Sequence, residues 1–522
     1  MKHPTQKCIL PLLLAALCLL LTGCWSDEPM DEGDVLDGLI GAEGITDQTE
    51  PPGEVAITSF ALPILSGETL DPITCGDGIQ QLLLPLLYEG LFELDETFTP
   101  QGVLCTDYTA SNDFTVWTFT LRSASFSDGT PLRAEDVAAS LQRAKTSARY
   151  GARLASVVSV RAEDGRVVIT LSEGNNRFPA LLEIPITSKA SAGSAVPVGT
   201  GPYRYAAAED GEAHLIKNET WWKKAAVPVD TIPLRTATDE SALPYLFSSH
   251  EIQMLITDYT GSAPVSYKGN LTVADAQTTT LQYIGFNCTG LFSDAALRRA
   301  VSAGVDRSSL CRAYYSGHAQ SAAFPVSPAS PWYPQDLEIP YSAERFQQAM
   351  DEAGYHKGRS VKAELLVCAG NASRLSAAKA IAAALSAYDL KISVKTLPYA
   401  EYAAALQSGA FDLYLGEVRM TPDFNCAALL KTGGSLNYGA FSDPSLDSQL
   451  ATAFTSATAP VSANEALCTA LLQSAPIVPI CFKSISVVLQ GGAADEITPT
   501  CSNPFYQLSN WQIHIKGEPT NG

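Results

Sequence analysis

Ala363-Glu364-Leu365-Leu366-Val367-Cys368 reads as a strand and the Ala-rich run from about Ser376 to Tyr388 as a helix. Lys391 to Leu397 reads as a second strand and Tyr399 to Gly409 as a second helix. This β-α-β-α alternation argues for a parallel or mixed α/β sheet, since parallel neighbours need a crossover helix between them. Upstream, strand-like Leu281 to Phe286 precedes a helix that starts at Asp294 and carries Leu297, Ala300, Val301 and Gly304 at helical spacing. A further helix is capped at Ser342, keeps Phe346, Ala349, Met350 and Ala353 on one face, and stops at Gly354.

The N-terminal half has a different rhythm. From Phe114 to Arg122 the chain alternates, with Trp117, Phe119 and Leu121 on one face and Val116, Thr118 and Thr120 on the other. Val137, Leu141 and Ala144 then form a helical stripe against that sheet. Val157 to Val160 and Val167 to Leu171 flank Glu163-Asp164-Gly165-Arg166, a hairpin whose Asp-Gly suits positive φ. A first strand begins near Val55, through Ile57, Phe60 and Leu62, and Gly199-Thr200-Gly201-Pro202-Tyr203 marks a return from one unit to another. At 522 residues the chain exceeds one ordinary domain, and two mixed α/β lobes are the economical reading.

With 34 basic and 55 acidic residues the formal net charge is −21, a field that repels phosphate backbones, so no nucleic-acid partner is expected. Lys2, His3 and Lys7 precede an apolar run, Ile9 to Leu21, shorter than the roughly 20 residues of a membrane-spanning helix. It reads as a signal peptide, residues 1–23. It ends in Leu21-Thr22-Gly23-Cys24, which resembles the bacterial lipobox, so Cys24 is expected to carry a lipid and to hold the protein outside the cytoplasmic barrier, at the cell surface or in the periplasm. Residues 24–54 are rich in Asp and Glu and hold no Lys or Arg, the composition of an extended acidic tether. Nine of the 12 cysteines remain in the folded part, without a CxxC pair; they read as small core residues, with disulfides left open.

Five separated blocks bear a resemblance to a known family. They are Leu87-Tyr88-Glu89-Gly90-Leu91-Phe92; Phe126-Ser127-Asp128-Gly129-Thr130-Pro131 running on to Asp136-Val137; Pro197 to Tyr203; Tyr283 to Asn287 with Phe292-Ser293-Asp294 and Val305-Asp306-Arg307; and the late pair Asp351 to Tyr355 and Phe441 to Asp447. Together they resemble the family 5 extracellular solute-binding proteins of ABC importers, which take up oligopeptides, dipeptides and nickel chelates. The resemblance implies a two-lobed periplasmic-binding-protein-like α/β fold with mixed sheets, a discontinuous lobe I (55–90, 195–285 and 486–522), an inserted small domain (91–194), lobe II (286–485) and a ligand cleft between the lobes. The chain would cross between lobes near Phe286 and Ile485, as a hinge.

Peptide-binding members hold the ligand as an added strand and anchor its ammonium with an Asp in a "WxxDxxDP"-like segment. The corresponding stretch here, Tyr414 to Phe424, has Glu417 at the Trp position and Met420 at the Asp position. Glu417 and Arg419, at i and i+2, share one face; they either meet the two charges of a zwitterion or pair with each other. Asp423 is either a surrogate anchor or a solvated turn acid. Asn437 and Tyr438 resemble a cleft-facing loop, with a plain Gly-rich connection as the competing reading. Asp71-Pro72-Ile73-Thr74-Cys75-Gly76-Asp77 resembles the family's "DP" loop; Asp71 reads as a turn former, and the resemblance implies that Thr74 and Asp77 border the ligand.

No GxSxG, HExxH, P-loop or GxGxxG motif occurs, so neither an enzyme nor a cofactor, catalytic residue or metal ligand is expected. The expected function is a lipid-anchored substrate-binding protein, a monomer. It would deliver short peptides or a similar small solute to an ABC permease and, through it, to ATPase subunits. The alternatives are an extracytoplasmic sensor or pheromone receptor of the same fold, or a binder of a metal chelate or other non-peptide solute.

Overall fold

The computed structural model describes residues 57–207, 212–338, 340–355 and 360–516. The leader, Cys24, the acidic stretch 24–54 and Val55 lie outside the described residues.

After β1 (Leu62–Leu65), the strands β2 (Phe92–Leu94) and β3 (Pro100–Gly102) pair as a hairpin. Four more, β4 (Cys105–Ala110), β5 (Val116–Leu121), β6 (Val157–Glu163) and β7 (Arg166–Leu171), form an antiparallel sheet in the order β4-β5-β7-β6. Trp117 and Phe119 of β5 are buried while Val116 and Thr120 face solvent, the period-2 split that the sequence predicts. The helix Ala134–Lys145 lays Val137, Leu141 and Ala144 into the same core. At the β6–β7 turn Asp164 and Gly165 have φ of 50° and 74°, the values a two-residue hairpin loop requires.

A second sheet joins β1 to β8 (Tyr203–Ala207), β9 (Ala213–Lys217) and β10 (Thr231–Ala237) in the order β1-β10-β9-β8. The turn Gly199-Thr200-Gly201 leads into β8 by lying on the backbone of Leu87. A Cβ on either glycine would collide with that backbone, so the approach needs residues without one. Between them Thr200 donates its hydroxyl to Glu89 at 2.9 Å, and Glu89 also accepts from the indole N–H groups of Trp221 and Trp222 at 3.1 and 2.8 Å. Burial pushes the Glu89 carboxyl above its ordinary range against the pull of these donors and of Lys223. Two sequence blocks more than a hundred residues apart thus form one structural unit.

The largest sheet contains β11 (Met254–Thr257), β12 (Leu271–Phe286), β13 (Ala319–Ser321), β14 (Val361–Cys368), β15 (Leu390–Leu397), β16 (Leu413–Arg419) and β17 (Ile477–Gln490). Its order is β11-β17-β12-β16-β14-β15, with β13 also on β17. β14 runs parallel to β15 and β16, and the other pairs are antiparallel, so the sheet is mixed. The crossover helix after β14 spans Ala372–Ser386 and starts before Ser376, because the Asn371 side chain accepts from the Arg374 N–H and caps it. The helix Tyr399–Ser408 ends at Gly409, whose φ is 69°. A short pair, β18 (Ala494–Asp495) and β19 (Gln512–Ile513), completes the strands.

β12 and β17 are the long members. Their ladder runs from Leu271 opposite Gln490 to Gly285 opposite Ile477 and shifts register between Gln277 and Leu281 and again between Gln282 and Tyr283. On one side of the first shift Met254, Val487 and Leu489 pack with Leu62, Leu83, Tyr203 and Trp511. On the other, Ile284, Phe286, Val478 and Ile480 pack with Leu297, Val301 and Ile381. One ladder therefore serves separate hydrophobic cores on the two sides of the irregular stretch. None of the nine cysteines among the described residues is in a disulfide, and six of them are buried.

Candidate functional site

β16 is where the large sheet opens. β12 covers one edge of it along its whole length, from Leu413 opposite Phe286 to Arg419 opposite Thr280. β14 covers the other edge for three pairs only, Leu365–Leu413, Leu366–Tyr414 and Val367–Leu415. After Cys368 the chain turns away at Gly370, with φ of 90°, into the Asn371 cap. Gly416 to Arg419 consequently have no strand partner on the β14 side among the described residues. This open edge lies past the carboxyl end of β14 and before a helix N-terminus, the end of an open α/β sheet at which ligands bind.

Charged side chains converge on it. The Glu417 carboxylate accepts from the Gln282 side-chain N–H at 2.7 Å, and the same oxygen pairs with the Arg374 guanidinium at 3.0 Å and the Lys483 ammonium at 3.6 Å. Gln282, opposite Glu417 in the ladder and fully buried, accepts in turn from the Tyr315 hydroxyl. Lys483 also donates to Asp258 at 3.0 Å, and Asp258 accepts from the backbone and hydroxyl of Thr260. The Thr260 carbonyl accepts from Asn371 at 2.9 Å. The network thus ties the loop after β11 to β12, β16, β17 and the helix Ala372–Ser386.

Partial burial pushes the Glu417 carboxyl up, but Arg374, Lys483 and the Gln282 hydrogen bond outweigh it and hold the group below the usual carboxylate range. A carboxyl depressed on folding contributes stability above its unfolded value, about 4.3, and loses it as pH falls through the folded value. Glu417→Gln is expected to destabilise the protein at neutral pH and to converge with the parent as the pH drops below about 4. Urea midpoints measured across that range check this, and a constant difference between the two proteins would contradict it.

Glu417 and Arg419 do share a face, as their spacing predicts, but they do not pair with each other: Glu417 is engaged by Arg374 and Lys483. The side chain of exposed Arg419 makes no hydrogen bond or ion pair among the described residues; the thiol of Cys501 lies within range of its charge. Asp423 is neither solvated nor open. It is 2% exposed and accepts from Asn175 at 2.8 Å, from Thr421 at 2.5 Å and from the Asn425 N–H at 3.2 Å. Met420 is buried, and its N–H donates to the Thr279 carbonyl at 2.9 Å. Asn437 holds its own loop through the Phe441 N–H at 3.0 Å and the carbonyls of Lys431 and Phe441 at 3.1 and 2.7 Å, and half-buried Tyr438 packs its ring edge-on to Tyr414. Asp77 caps the helix Gly78–Leu87, exposed Thr74 donates its N–H to the Asp71 carbonyl, and buried Asp71 pairs with Arg143 at 2.5 Å.

Arg374, Lys483, Asp258 and Gln282 escaped the sequence reading. Lys483 had a signal, as the one cation in the otherwise apolar and hydroxyl-rich β17. Arg374 had a weaker one, lying three residues after a helix cap.

A mixed sheet shared by separate cores, with a charged open edge where one strand loses its partner, fits a two-lobed binding protein of the periplasmic type. The comparisons with known proteins agree. The profile for bacterial extracellular solute-binding proteins, family 5 (middle region), matches residues 99–432, and the chain belongs to that family. The glutathione-binding protein GsiB of Salmonella typhimurium is 28% identical over 309 residues, covering 56% of this chain and 60% of that protein. The murein tripeptide binding protein MppA, in its unliganded open form, superposes with a TM-score of 0.72 at 20% identity over 89% of this chain and 99% of that one. A nickel ABC transporter protein from Bacillus halodurans gives 0.71 at 20% identity over 86% and 98%. No helix among the described residues is long and apolar enough to cross a membrane.

Proposed function

We propose that this chain is the substrate-binding protein of an ABC importer, capturing short peptides or a similar small solute between two lobes and delivering it to a membrane permease and, through it, to ATPase subunits. The observation that carries the reading is the unpartnered edge at Gly416–Arg419 beside the Glu417–Arg374–Lys483 network. An extended amide chain can add to such an edge by main-chain hydrogen bonds, with the charged side chains reading its ends. The names of GsiB and MppA, a glutathione binder and a tripeptide binder, agree with an amide-bearing ligand.

In this proposal lobe I comprises 55–90, 195–285 and 486–522, the inserted domain 91–194 and lobe II 286–485. The first register shift in the β12–β17 ladder supports a first crossing between Gln277 and Leu281, upstream of Phe286, whose ring belongs to the second core. Ligand closes the lobes about these crossings, and the closed form docks on the permease. Lipid on Cys24 keeps the protein at the membrane, on its outer side.

The test is a thermal-shift and calorimetric screen of the full-length chain in detergent. Its pools are di- to pentapeptides with free or acetylated N-termini, amino acids, sugars, carboxylic acids and nickel chelates. A binder at 100 times its Kd stabilises by roughly 2.7 kcal/mol, so a clear shift with a peptide pool is expected. A shift only with another pool removes peptide from the assignment, and no shift with any pool overturns the binding role.

A further inference from the structure

The charges around the open edge do not balance, and the imbalance bears on the ligand. Arg374 is matched by Glu417 and Lys483 by Asp258, with Lys483 also 3.6 Å from Glu417. Beyond Cys501, Glu183 is held by Arg153 at 2.5 Å and by the Ser502 hydroxyl at 2.6 Å. Of the charged groups around this edge, Arg419 is the one with an accessible charge and no ion pair or side-chain hydrogen bond among the described residues, in a protein whose net charge is −21. An unpaired guanidinium against so acidic a background is a local inversion of sign, and it offers a planar fork of donors that matches a carboxylate.

The same inventory finds no carboxylate left for an ammonium. Met420, next to Arg419, is apolar and buried. Both oxygens of Asp423 are consumed inside the protein. Glu417 already faces two cations and a side-chain amide, so an incoming ammonium would have to displace one of them. A buried ammonium without a charge partner is disfavoured by several kcal/mol.

We propose that the open edge at Gly416–Arg419 takes an extended, amide-bearing acid that lacks a free amine, such as an N-blocked peptide, with its carboxylate on Arg419. This rests on the binding role proposed above and narrows its substrate class.

The experiment compares three probes by isothermal titration on the full-length chain in detergent: trialanine, N-acetyl-trialanine, and N-acetyl-trialanine amide. N-acetyl-trialanine is expected to bind at least about tenfold more tightly than either of the others. Arg419→Gln, a change at an exposed position, should remove about tenfold of that affinity while leaving the melting temperature and the weak binding of the amide unchanged. Trialanine binding as tightly as its acetylated form, or Arg419→Gln leaving the acetylated acid unaffected, overturns the inference and leaves the peptide-binding role standing. If no peptide binds but succinate or another amine-free acid does, and its binding depends on Arg419, the anionic class stands and its amide chain is removed. Silence towards every acid and peptide overturns this inference and removes peptide from the assignment above, whereas the binding role itself falls only if the sugar and nickel-chelate pools are silent too.

Discussion

Arg177→Ala is expected to lower the stability of the fold by about 3–5 kcal/mol, the range seen when one member of a buried charged network is deleted. Arg177 is 4% exposed and follows the β7 sheet edge through Asn175 and Asn176. Its guanidinium donates to the Asp423 carbonyl at 3.2 Å and to the Asn464 side chain at 2.7 Å. It also stacks 4.0 Å over the ring of Trp332 and 4.5 Å over that of Phe454. Burial draws its pKa down to about 10 against the pull of the Asp423 carboxylate, so it stays a cation at neutral pH, with the carbonyl, the amide and the ring faces around it in place of water. Its neighbours dock in parallel, Asn175 on the Asp423 carboxylate and Asn176 on the carbonyls of Ala453 and Ser456. Truncation at Arg177 leaves Asn464 short of a donor, bares two aromatic faces and opens a cavity, costs that add. Urea unfolding read by tryptophan fluorescence measures it, and a loss below about 1 kcal/mol would show that the three-residue strap is peripheral.

That strap marks the boundary of what the sequence discloses. Alternation in β5, the stripe on Ala134–Lys145 and the β-α-β-α run around β14 are local patterns, and each is legible because the side chains that define it are consecutive or one helical turn apart. β12 is legible only in its apolar half: its stretch from Leu271 to Thr280 is rich in Thr, Ala and Gln, and becomes strand because β17 pairs with it. Asp423 has the sequence environment of a turn acid, and what makes it structural is Asn175, 248 residues away. Asp77 shows the converse, since an Asp two residues before Ile79 is a helix cap by its own local chemistry, whatever the ligand does. At the site, the shared face of Glu417 and Arg419 follows from period 2. Which of them is already paired depends on Arg374 and Lys483, contributed by a different helix and a different strand.

Lys483→Met is the second large effect, expected at about 2–3 kcal/mol of stability. It is smaller than that of Arg177 because the carboxylates it serves keep some water, the Asp258 side chain being 39% and that of Glu417 25% exposed. Met preserves the volume of the stem, so the change isolates the charge. Without the ammonium, Asp258 loses its cation, Glu417 keeps only Arg374, and the link from the loop after β11 across β17 to β16 is cut. The Glu417 carboxyl then moves up towards its ordinary range, so the acid sensitivity described for the parent shifts to higher pH in the variant. Combining the change with Glu417→Gln separates electrostatics from packing, because a pair in contact couples and a distant pair adds. The double variant is expected to be less destabilised than the sum of the two singles by at least about 0.5 kcal/mol. Strict additivity would mean that Lys483 works through Asp258 alone, and that the two ends of the network are independent.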